Sequence, residues 1–410
     1  MPVRLDQIPA LAPRPSRPRI WLWLGLLLLL LLLGMGLMLL FGSQSLQQQS
    51  VSVWALGLGA PLLSWCLLCV GRALMYLGQQ YAADGWDEAR ELDLIRKVSC
   101  GRRSQQVLGT SLFSALREPG EQGTAQLDAL LGGNGALEAQ PCWLDGSPLR
   151  HSRLPMICDE DPEFMLLGIL EQVLAELSPA LAKVPHDTPL ALLLEVESSL
   201  PPNLLSRIWR RAWNASGIRQ SIVPVTGCGL AALDQWLDLR IDDHALLMVV
   251  AVQFSPQQAE GTAEVAVGLL LGNRLTQTTL PAIAYLHRPE QERGFTREHL
   301  LYAARQALDW VPLSAQSIER VWRAGIDAPR EVAITATLNA VPLPKQPKQE
   351  LCDLDALLGH AGKASPWLAI VAAAQVLERG GGPQFIFSGG GTVDVGLWGT
   401  VLTPASSPSK

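Results

Sequence analysis

The sequence of 410 residues predicts an α/β fold of alternating helical and sheet layers, preceded by a hairpin of two transmembrane helices. The helices are predicted by residues 20–41 and 51–71, which are apolar, uncharged and long enough to cross a hydrocarbon core of about 30 Å. The layers are predicted by residues 163–404, where amphipathic segments alternate with buried strand-like segments, as when helices cover both faces of a sheet. The closing part of this alternation repeats the opening part, so we expect two pseudo-repeated halves.

The charge pattern predicts that both ends of the hairpin face the cytoplasm. Basic residues flank the outer ends of the two apolar runs, whereas the link at residues 42–50 is uncharged. Because such cations resist translocation, we expect a bacterial inner-membrane protein with two spans and cytoplasmic N- and C-termini. Pro61 and the glycines around it indicate a kink or a close helix contact. A cleaved signal peptide is the alternative, but the first apolar run is longer than the core of such peptides and no cleavage motif follows.

The composition argues against several classes of function. A formal net charge of −6, with no basic cluster beyond the membrane flank, argues against nucleic-acid binding. The seven cysteines have irregular spacing, which fits a reducing compartment and no zinc site, so we expect neither a metal nor a cofactor. Cys66 and Cys69 form a CxxC pair inside the second apolar run, where packing is the expected role.

The sequence divides the rest of the chain into four regions. Residues 1–19 form a cytoplasmic basic tail, residues 72–103 a connecting helix, residues 104–403 one cytoplasmic domain and residues 404–410 a disordered tail. Within the domain, helices are expected at 163–177, 201–217, 228–241, 296–311 and 365–380. Strands are expected at 104–116, 188–199, 219–225, 244–254, 263–273, 330–338, 383–391 and 393–404.

Two residues at helix starts are candidates for chemistry. Cys228 follows a strand and a glycine-flanked turn, and the helix dipole at such a position favours a thiolate nucleophile. His360 follows a glycine and precedes an alanine-rich helix, where an imidazole serves as a general base. The structural alternatives are a packed cysteine, and a histidine that caps the helix or bonds a backbone carbonyl.

Three motifs resemble those of the β-ketoacyl synthases, within the thiolase-like superfamily. The first is "CGLAALDQW" followed by a strand and the acidic, glycine-rich "AEGTAEVAVGLLLGN"; the second is the "GH" turn before "SPWLAIVAAAQVLERG"; the third is "FSGGGTVDV". They occur in the family's order across residues 220–403, and the resemblance extends back to about residue 104. It implies a thiolase-like layered α/β/α/β/α fold, a homodimer, and a ligand pocket at Gly390, Gly391 and Thr392. A tight turn is the alternative for these glycines.

The departures from the family's motifs concern its catalytic residues. If the helix is placed on the family's "LxxL" spacing, the nucleophile position falls on Thr226, and Cys228 lies two residues beyond it, a rotation of about 200° on a helix. The family's second histidine is missing, since no histidine lies between His299 and His360. The expected lysine, five residues before His360, is replaced by Asp355, so the charge there has the opposite sign.

These departures favour a membrane-anchored, non-catalytic thiolase-like adaptor or scaffold with unidentified protein partners. Such a protein suits a bacterial envelope assembly, for example an accessory role in type VI secretion. The alternative is a membrane-associated acyl-transferring or condensing enzyme that uses Cys228 and His360, with the register of the nucleophile turn left open between Thr226 and Cys228.

Overall fold

A computed structural model describes residues 3–41, 55–118, 120, 123–155, 161–311, 313–344, 350–390 and 396–405. The chain divides into two compact units, one formed by Arg4–Lys97 and one formed by the residues from Val98 onward together with Val3.

The first unit is built on two apolar helices. Helix α1 is Ile20–Phe41, and a π-helical turn, Ala55–Gly59, leads into helix α2, Ala60–Gly101. The second apolar run and the expected connecting helix are therefore one continuous helix, although residues 51–54 of that run lie outside the described part. A Cβ added to Gly34 would lie 2.4 Å from Pro61 Cγ, so the predicted close helix contact is present at Pro61.

Three described helices are long and apolar enough to cross a membrane, judged by length and composition alone. They are Ile20–Leu40, Ala55–Gly101 and Pro162–Leu181. None of the apolar window is buried in the first two, whereas half of it is buried in the third. The third helix packs nine residues into the core of the second unit, as expected for an amphipathic helix of a layered domain.

In the described part of the second unit, eleven strands form one mixed sheet. They are β1 Ser104–Phe113, β4 Leu190–Ser198, β5 Ile222–Pro224, β6 Leu246–Phe254, β7 Val265–Asn273, β8 Ala284–His287, β9 Glu290–Gln291, β10 Arg320–Ala324, β11 Leu351–Asp353, β12 Gln384–Ser388 and β13 Trp398–Pro404. Their order in the sheet is β11-β10-β12-β13-β8-β1-β7-β6-β4-β5, with β9 beside β13. A separate hairpin pairs β2 Glu138–Pro141 with β3 Pro148–His151.

The helices of this unit follow the strands. They are α3 Gly123–Leu131, α4 Pro162–Leu181, α5 Pro202–Ala215, α6 Gly229–Leu239, α7 Arg297–Asp309, α8 Ala328–Ala340, α9 Leu354–Leu358 and α10 Ser365–Glu378, with 3₁₀ turns at Ala315–Ser317 and Gly362–Ala364. Helices α4 and α5 start with prolines at their first positions, where the missing N–H is not needed.

Side chains on alternate strand positions separate the core into layers. On β6, Leu247 and Val249 belong to a central cluster with α6 and α10, whereas Met248 and Val250 belong to an outer cluster beneath α4 and α5. On β12, Ile386 joins the central cluster, while its neighbours join a second outer cluster beneath α7 and α8. The predicted order of helix, sheet, helix, sheet and helix layers is therefore confirmed.

Helix α10 lies at the centre of these layers. All but two of its positions are buried, and its central positions are small residues, Ala372, Ala373 and Ala374, each fully buried. Small side chains let sheet on both sides approach the helix closely. The strands at both ends of the sheet run parallel, β5-β4-β6 at one and β11-β10-β12 at the other. The pseudo-repeat of two halves stays a prediction.

One predicted element was wrong. Residues 330–338 were expected to form a strand because valine, isoleucine and threonine favour strands, but they lie within helix α8. Its buried residues Ile334, Thr337 and Leu338 have helical spacing and pack beneath the second half of the sheet. Tertiary burial outweighs the intrinsic strand preference, which spans only about 1 kcal/mol. The strand of this region is β10, which the sequence analysis missed.

Candidate functional site

The turn before α6 places Cys228 at the helix N-cap, as predicted. Cys228 has an extended backbone with φ −147° and ψ 159°, and its side chain is exposed and caps no backbone N–H. Gly227 and Gly229, on either side, have φ of +103° and +55°, values that other residues rarely adopt, so the glycines are required by the turn. Thr226 is also exposed and lines a cleft of about 370 Å³ beside Trp236.

A carboxylate of the protein occupies the N-terminus of α6. Glu195, on β4, accepts a hydrogen bond from Gly229 N at 2.5 Å and one from Trp367 Nε1 at 2.6 Å. Glu195 is only 7% exposed and Trp367 is fully buried. Because the unpaired N–H groups and the dipole of a helix N-terminus bind anions, Glu195 fills the position that an external anion would otherwise take.

The carboxyl ends of β4 and β6 hold the turn that carries His360. Glu197, two residues beyond Glu195, accepts a bond from Lys363 N at 3.2 Å. Gln253 on β6 donates to the backbone oxygen of His360 at 2.7 Å and to that of Ala263 at 3.1 Å. Since β4 and β6 are parallel neighbours, their carboxyl ends meet at one edge of the sheet. Residues at the carboxyl ends of β4 and β6 therefore contact both the turn that carries Cys228 and the turn that carries His360.

The imidazole of His360 faces a carboxylate. Its Nδ1 lies 3.6 Å from Asp355 Oδ1, and its side chain is 44% exposed. The backbone N–H of His360 donates to Gly261 O at 2.9 Å, in an isolated bridge beside Thr262. The N-cap of α10 is Ala364, so His360 does not cap that helix.

Asp355 holds a second pair of backbone donors. Its two carboxylate oxygens accept from Gly325 N at 2.9 Å and Ile326 N at 2.8 Å, directly after β10. Burial raises the pKa of Asp355 to about 6. The two backbone hydrogen bonds and the nearby His360 lower this pKa, but by less than burial raises it. Gly325 has φ +68°, and a Cβ there would lie 2.4 Å from Gly389 O, so this turn packs closely on the end of β12.

The remaining predicted residues are only partly described. Gly389 N donates to Ala324 O at 3.0 Å, and Gly390 follows it as a half-buried residue. Gly391 and Thr392 lie outside the described residues, so the predicted ligand pocket stays a prediction. No group of three or more histidine, cysteine, aspartate or glutamate residues within the described part could hold a metal ion.

The sequence analysis missed the residues that organise this edge, namely Glu195, Glu197, Gln253 and Trp367. A signal was present for the first two, because they are acidic residues at the carboxyl end of an otherwise apolar strand. In α/β sheets that is where ligand-binding groups collect. The sequence did not indicate a role for Trp367 in the site, since a tryptophan in an apolar helix is expected to belong to the hydrophobic core.

Two solved structures share the fold of most of this chain. "PfaC Keto synthase-Chain length factor" matches with a TM-score of 0.54 and 12% identity, covering 75% of this chain and 43% of that chain. "AntDE:AntF (apo): type II PKS acyl-carrier protein in complex with its ketosynthase bound to the hexaketide" matches with a TM-score of 0.50 and 10% identity, covering 73% and 99% respectively. The chain thus spans less than half of the first structure's length and nearly all of the second's.

Sequence comparison alone finds no relationship of this kind. No protein-family model matches the chain, and no curated protein sequence matches it. The identities to the solved structures are also low, so the likeness concerns the fold and not the activity. The layered sheet, the central helix α10 and these structural matches together show that the chain has a thiolase-like fold.

Proposed function

We propose that this protein is a membrane-anchored, non-catalytic thiolase-like adaptor or scaffold. One observation carries the proposal: the backbone donors at the candidate site are already bound by carboxylates of the protein itself. Gly229 N binds Glu195, while Gly325 N and Ile326 N bind Asp355. Acyl transfer needs free donors aimed at the oxyanion that develops in the transition state.

Charge at the site opposes an oxyanion as well. Glu195 places its carboxylate on the residue that follows Cys228. A negative group at this position disfavours the second negative charge that an oxyanion would bring. The helix dipole, which would activate Cys228 in the sequence-based interpretation, instead stabilises Glu195.

The candidate nucleophile also lacks an activating base. Activation of a thiol requires a base within hydrogen-bond reach, yet among the described residues the Cys228 thiol has no hydrogen-bond partner. The imidazole of His360 faces Asp355. Cys228 is exposed to solvent, whereas acyl-transfer sites exclude water to protect their intermediates.

The membrane part of the proposal rests on the first two apolar helices. No residue in the apolar windows of Ile20–Leu40 and Ala55–Gly101 is buried, and lipid would cover such a surface. We propose two spans in a bacterial inner membrane with both termini in the cytoplasm. A reporter fused after Lys410 is expected to be cytoplasmic, and one placed at Gln48 to be on the opposite side; an exported C-terminal reporter contradicts this topology.

The proposed adaptor is a homodimer that takes part in an envelope assembly such as type VI secretion. The short strand β5 lies at an edge of the sheet, and Val223 on it is 56% exposed. Ser221 O accepts a hydrogen bond from Leu190 N, and Val225 N donates one to Leu192 O, both on β4. Because backbone groups alternate in direction along a strand, those of Ile222 and Pro224 point away from β4. Pro224 has no N–H to donate, which limits how many backbone bonds a partner strand can form here.

The test of the non-catalytic assignment is acylation. The full chain in detergent is incubated with activated acyl thioesters, and Cys228 is examined by peptide mass spectrometry beside a Cys228→Ser variant. We expect no acyl adduct on Cys228. A stable adduct that disappears in the variant would overturn the proposal.

The alternative function is an acyl-transferring or condensing enzyme that uses Cys228 and His360. It is favoured by the position of Cys228 at a helix N-cap and by the shared edge of the two turns. Affinity for a purified protein partner distinguishes the two functions. Binding that is unchanged by Cys228→Ala together with His360→Ala supports the adaptor, whereas thioester turnover that both substitutions abolish supports the enzyme.

A further inference from the structure

The residues before α1 follow the outer surface of α2 in the first unit. This strap, residues 9–16, contains the sequence "PALAPRPS". Three of its backbone oxygens accept side-chain hydrogen bonds from α2: Pro9 O from Arg90 Nε at 2.7 Å, Ala10 O from Trp86 Nε1 at 3.2 Å and Ser16 O from Arg72 Nη2 at 3.4 Å. The strap therefore runs antiparallel to the helix.

The lengths of the two elements agree. Arg72 and Arg90 are separated by about 27 Å of helix axis at about 1.5 Å per residue. A proline-rich strap from Pro9 to Ser16 extends about 22 Å at about 3.1 Å per residue, and the arginine side chains cover the difference. An extended, proline-rich conformation thus fits this face of α2 without bending.

Charge fixes the register of the strap. Arg14 pairs with both Asp84 and Asp87, at 2.7 Å for Asp87, and Ala12 N donates to Asp87 Oδ1 at 2.9 Å. Asp84, Asp87 and Arg90 recur at intervals of three residues and so share one helix face. That face offers carboxylates to an arginine, and an indole and an arginine to backbone oxygens.

We infer that this face of α2, formed by Asp84, Trp86, Asp87 and Arg90, is a binding site for a proline-rich segment that carries an arginine. The occupant is the chain's own strap. Such segments leave their carbonyls free and lose little conformational entropy on binding. The covalent link through α1 makes the contact intramolecular, so individually weak interactions suffice to keep the site filled.

Occupation of this site has a consequence for the hairpin. The strap leads directly into α1, and Asp84 to Arg90 follow the apolar part of α2. The bound strap therefore links the start of α1 to the part of α2 that follows its apolar segment. This contact keeps the two segments that flank the hairpin on the same side of the apolar helices. A proline-rich, arginine-bearing segment of another protein would have to displace the strap to use the same site.

The test uses a photo-crosslinking benzoylphenylalanine at Leu11, between Ala10 and Ala12, in the full chain in detergent. We expect intramolecular cross-links to residues 84–90, located by mass spectrometry. Arg14→Glu should reduce their yield at least fivefold. The matched control is Arg17→Glu, which changes the arginine directly after the strap. Arg17 has no bonded partner among the described residues, and its substitution should leave the yield unchanged.

A rescue completes the test. Combining Arg14→Glu with Asp84→Arg and Asp87→Arg should restore at least half of the original yield, because the charges are exchanged and not removed. Three results would each overturn the inference: a yield insensitive to Arg14→Glu, an equal loss in Arg17→Glu, or cross-links that join two chains in place of one.

Discussion

The two carboxylates of the candidate site, Glu195 and Asp355, perform the same task in different surroundings. Glu195 binds a helix N-terminus and an indole, both neutral donors. Asp355 binds two successive N–H groups after a strand and also lies beside the imidazole of His360. The Glu195 end is thus held by a helix terminus, whereas burial raises the pKa of Asp355 at the other end to about 6. The blocking of donors at the Asp355 end therefore depends on pH in this range.

The helix that Glu195 caps is held at its other end by a buried ion cluster. Arg288, fully buried, donates to Asp234 at 2.7 Å and to both oxygens of Asp238 at 2.7 and 2.8 Å. Burial raises the pKa of Asp234 despite this partner. The Glu195 end of the site consequently depends on contacts made at both ends of α6.

The largest expected effect comes from loosening α6. Arg288→Met leaves Asp234 buried without its cation, and we expect a loss of about 3–5 kcal/mol in the free energy of unfolding, measured by urea titration of the full chain in detergent. Arg240→Met, which breaks the exposed pair with Asp243, is the control and should cost about 1 kcal/mol or less. Equal losses in the two variants would show that α6 does not depend on the buried cluster.

The next effect tests the pH-dependent end. Because burial raises the pKa of Asp355 from 3.8 to about 6, the folded state holds this proton more tightly than the unfolded chain. Its contribution is complete below about pH 4 and is lost as the pH rises through about 6, at most about 3 kcal/mol. Asp355→Asn should flatten the fall in unfolding free energy between pH 4 and 6.

Asp128→Asn serves as the control for this titration, since Asp128 is 69% exposed and pairs with Arg379 at the surface. It should retain the wild-type slope. If Asp355→Asn retains that slope as well, Asp355 does not titrate in this window and the two ends of the site are electrostatically alike.

A smaller effect tests the Glu195 end. Glu195→Gln keeps one acceptor but turns an amide N–H₂ toward a donor, and we expect a cost of about 1–3 kcal/mol in the free energy of unfolding, measured by urea titration of the full chain in detergent. Glu197→Gln, on the same strand, changes only the exposed acceptor of Lys363 N and is the control, which should cost about 1 kcal/mol or less. Equal costs in the two variants would contradict a special role for the Glu195 carboxylate at the start of α6.

The smallest effect concerns the exposed turn itself. Cys228→Ser and Thr226→Ala change exposed side chains, so each should alter the unfolding free energy by about 0.5 kcal/mol or less. Thermal unfolding in detergent measures this. A large loss in either variant would mean that the turn has a structural role that the buried carboxylates do not supply.

Much of the fold follows from local pattern. The strands β4, β6 and β7 were predicted from their apolar runs, and the helices α4, α6 and α7 from their helical hydrophobic spacing. The helix at 328–340 was mispredicted because β-branched residues gave a local preference that packing overrode. The strand β10 was missed because it is short and contains arginines.

The sequence by itself determined the apolar helices, the alternation of layers, the helix start at Cys228, the absence of a histidine between His299 and His360, and the aspartate at position 355. These properties belong to single segments, whose hydrophobic period and end residues are local. Only the tertiary structure decided that Glu195 binds Gly229 and Trp367 and that Asp355 binds Gly325 and Ile326. Each of these bonds joins residues at least 29 positions apart, so no local pattern encodes it. These bonds form because sheet pairing brings the strand ends together, and a buried backbone N–H then needs an acceptor.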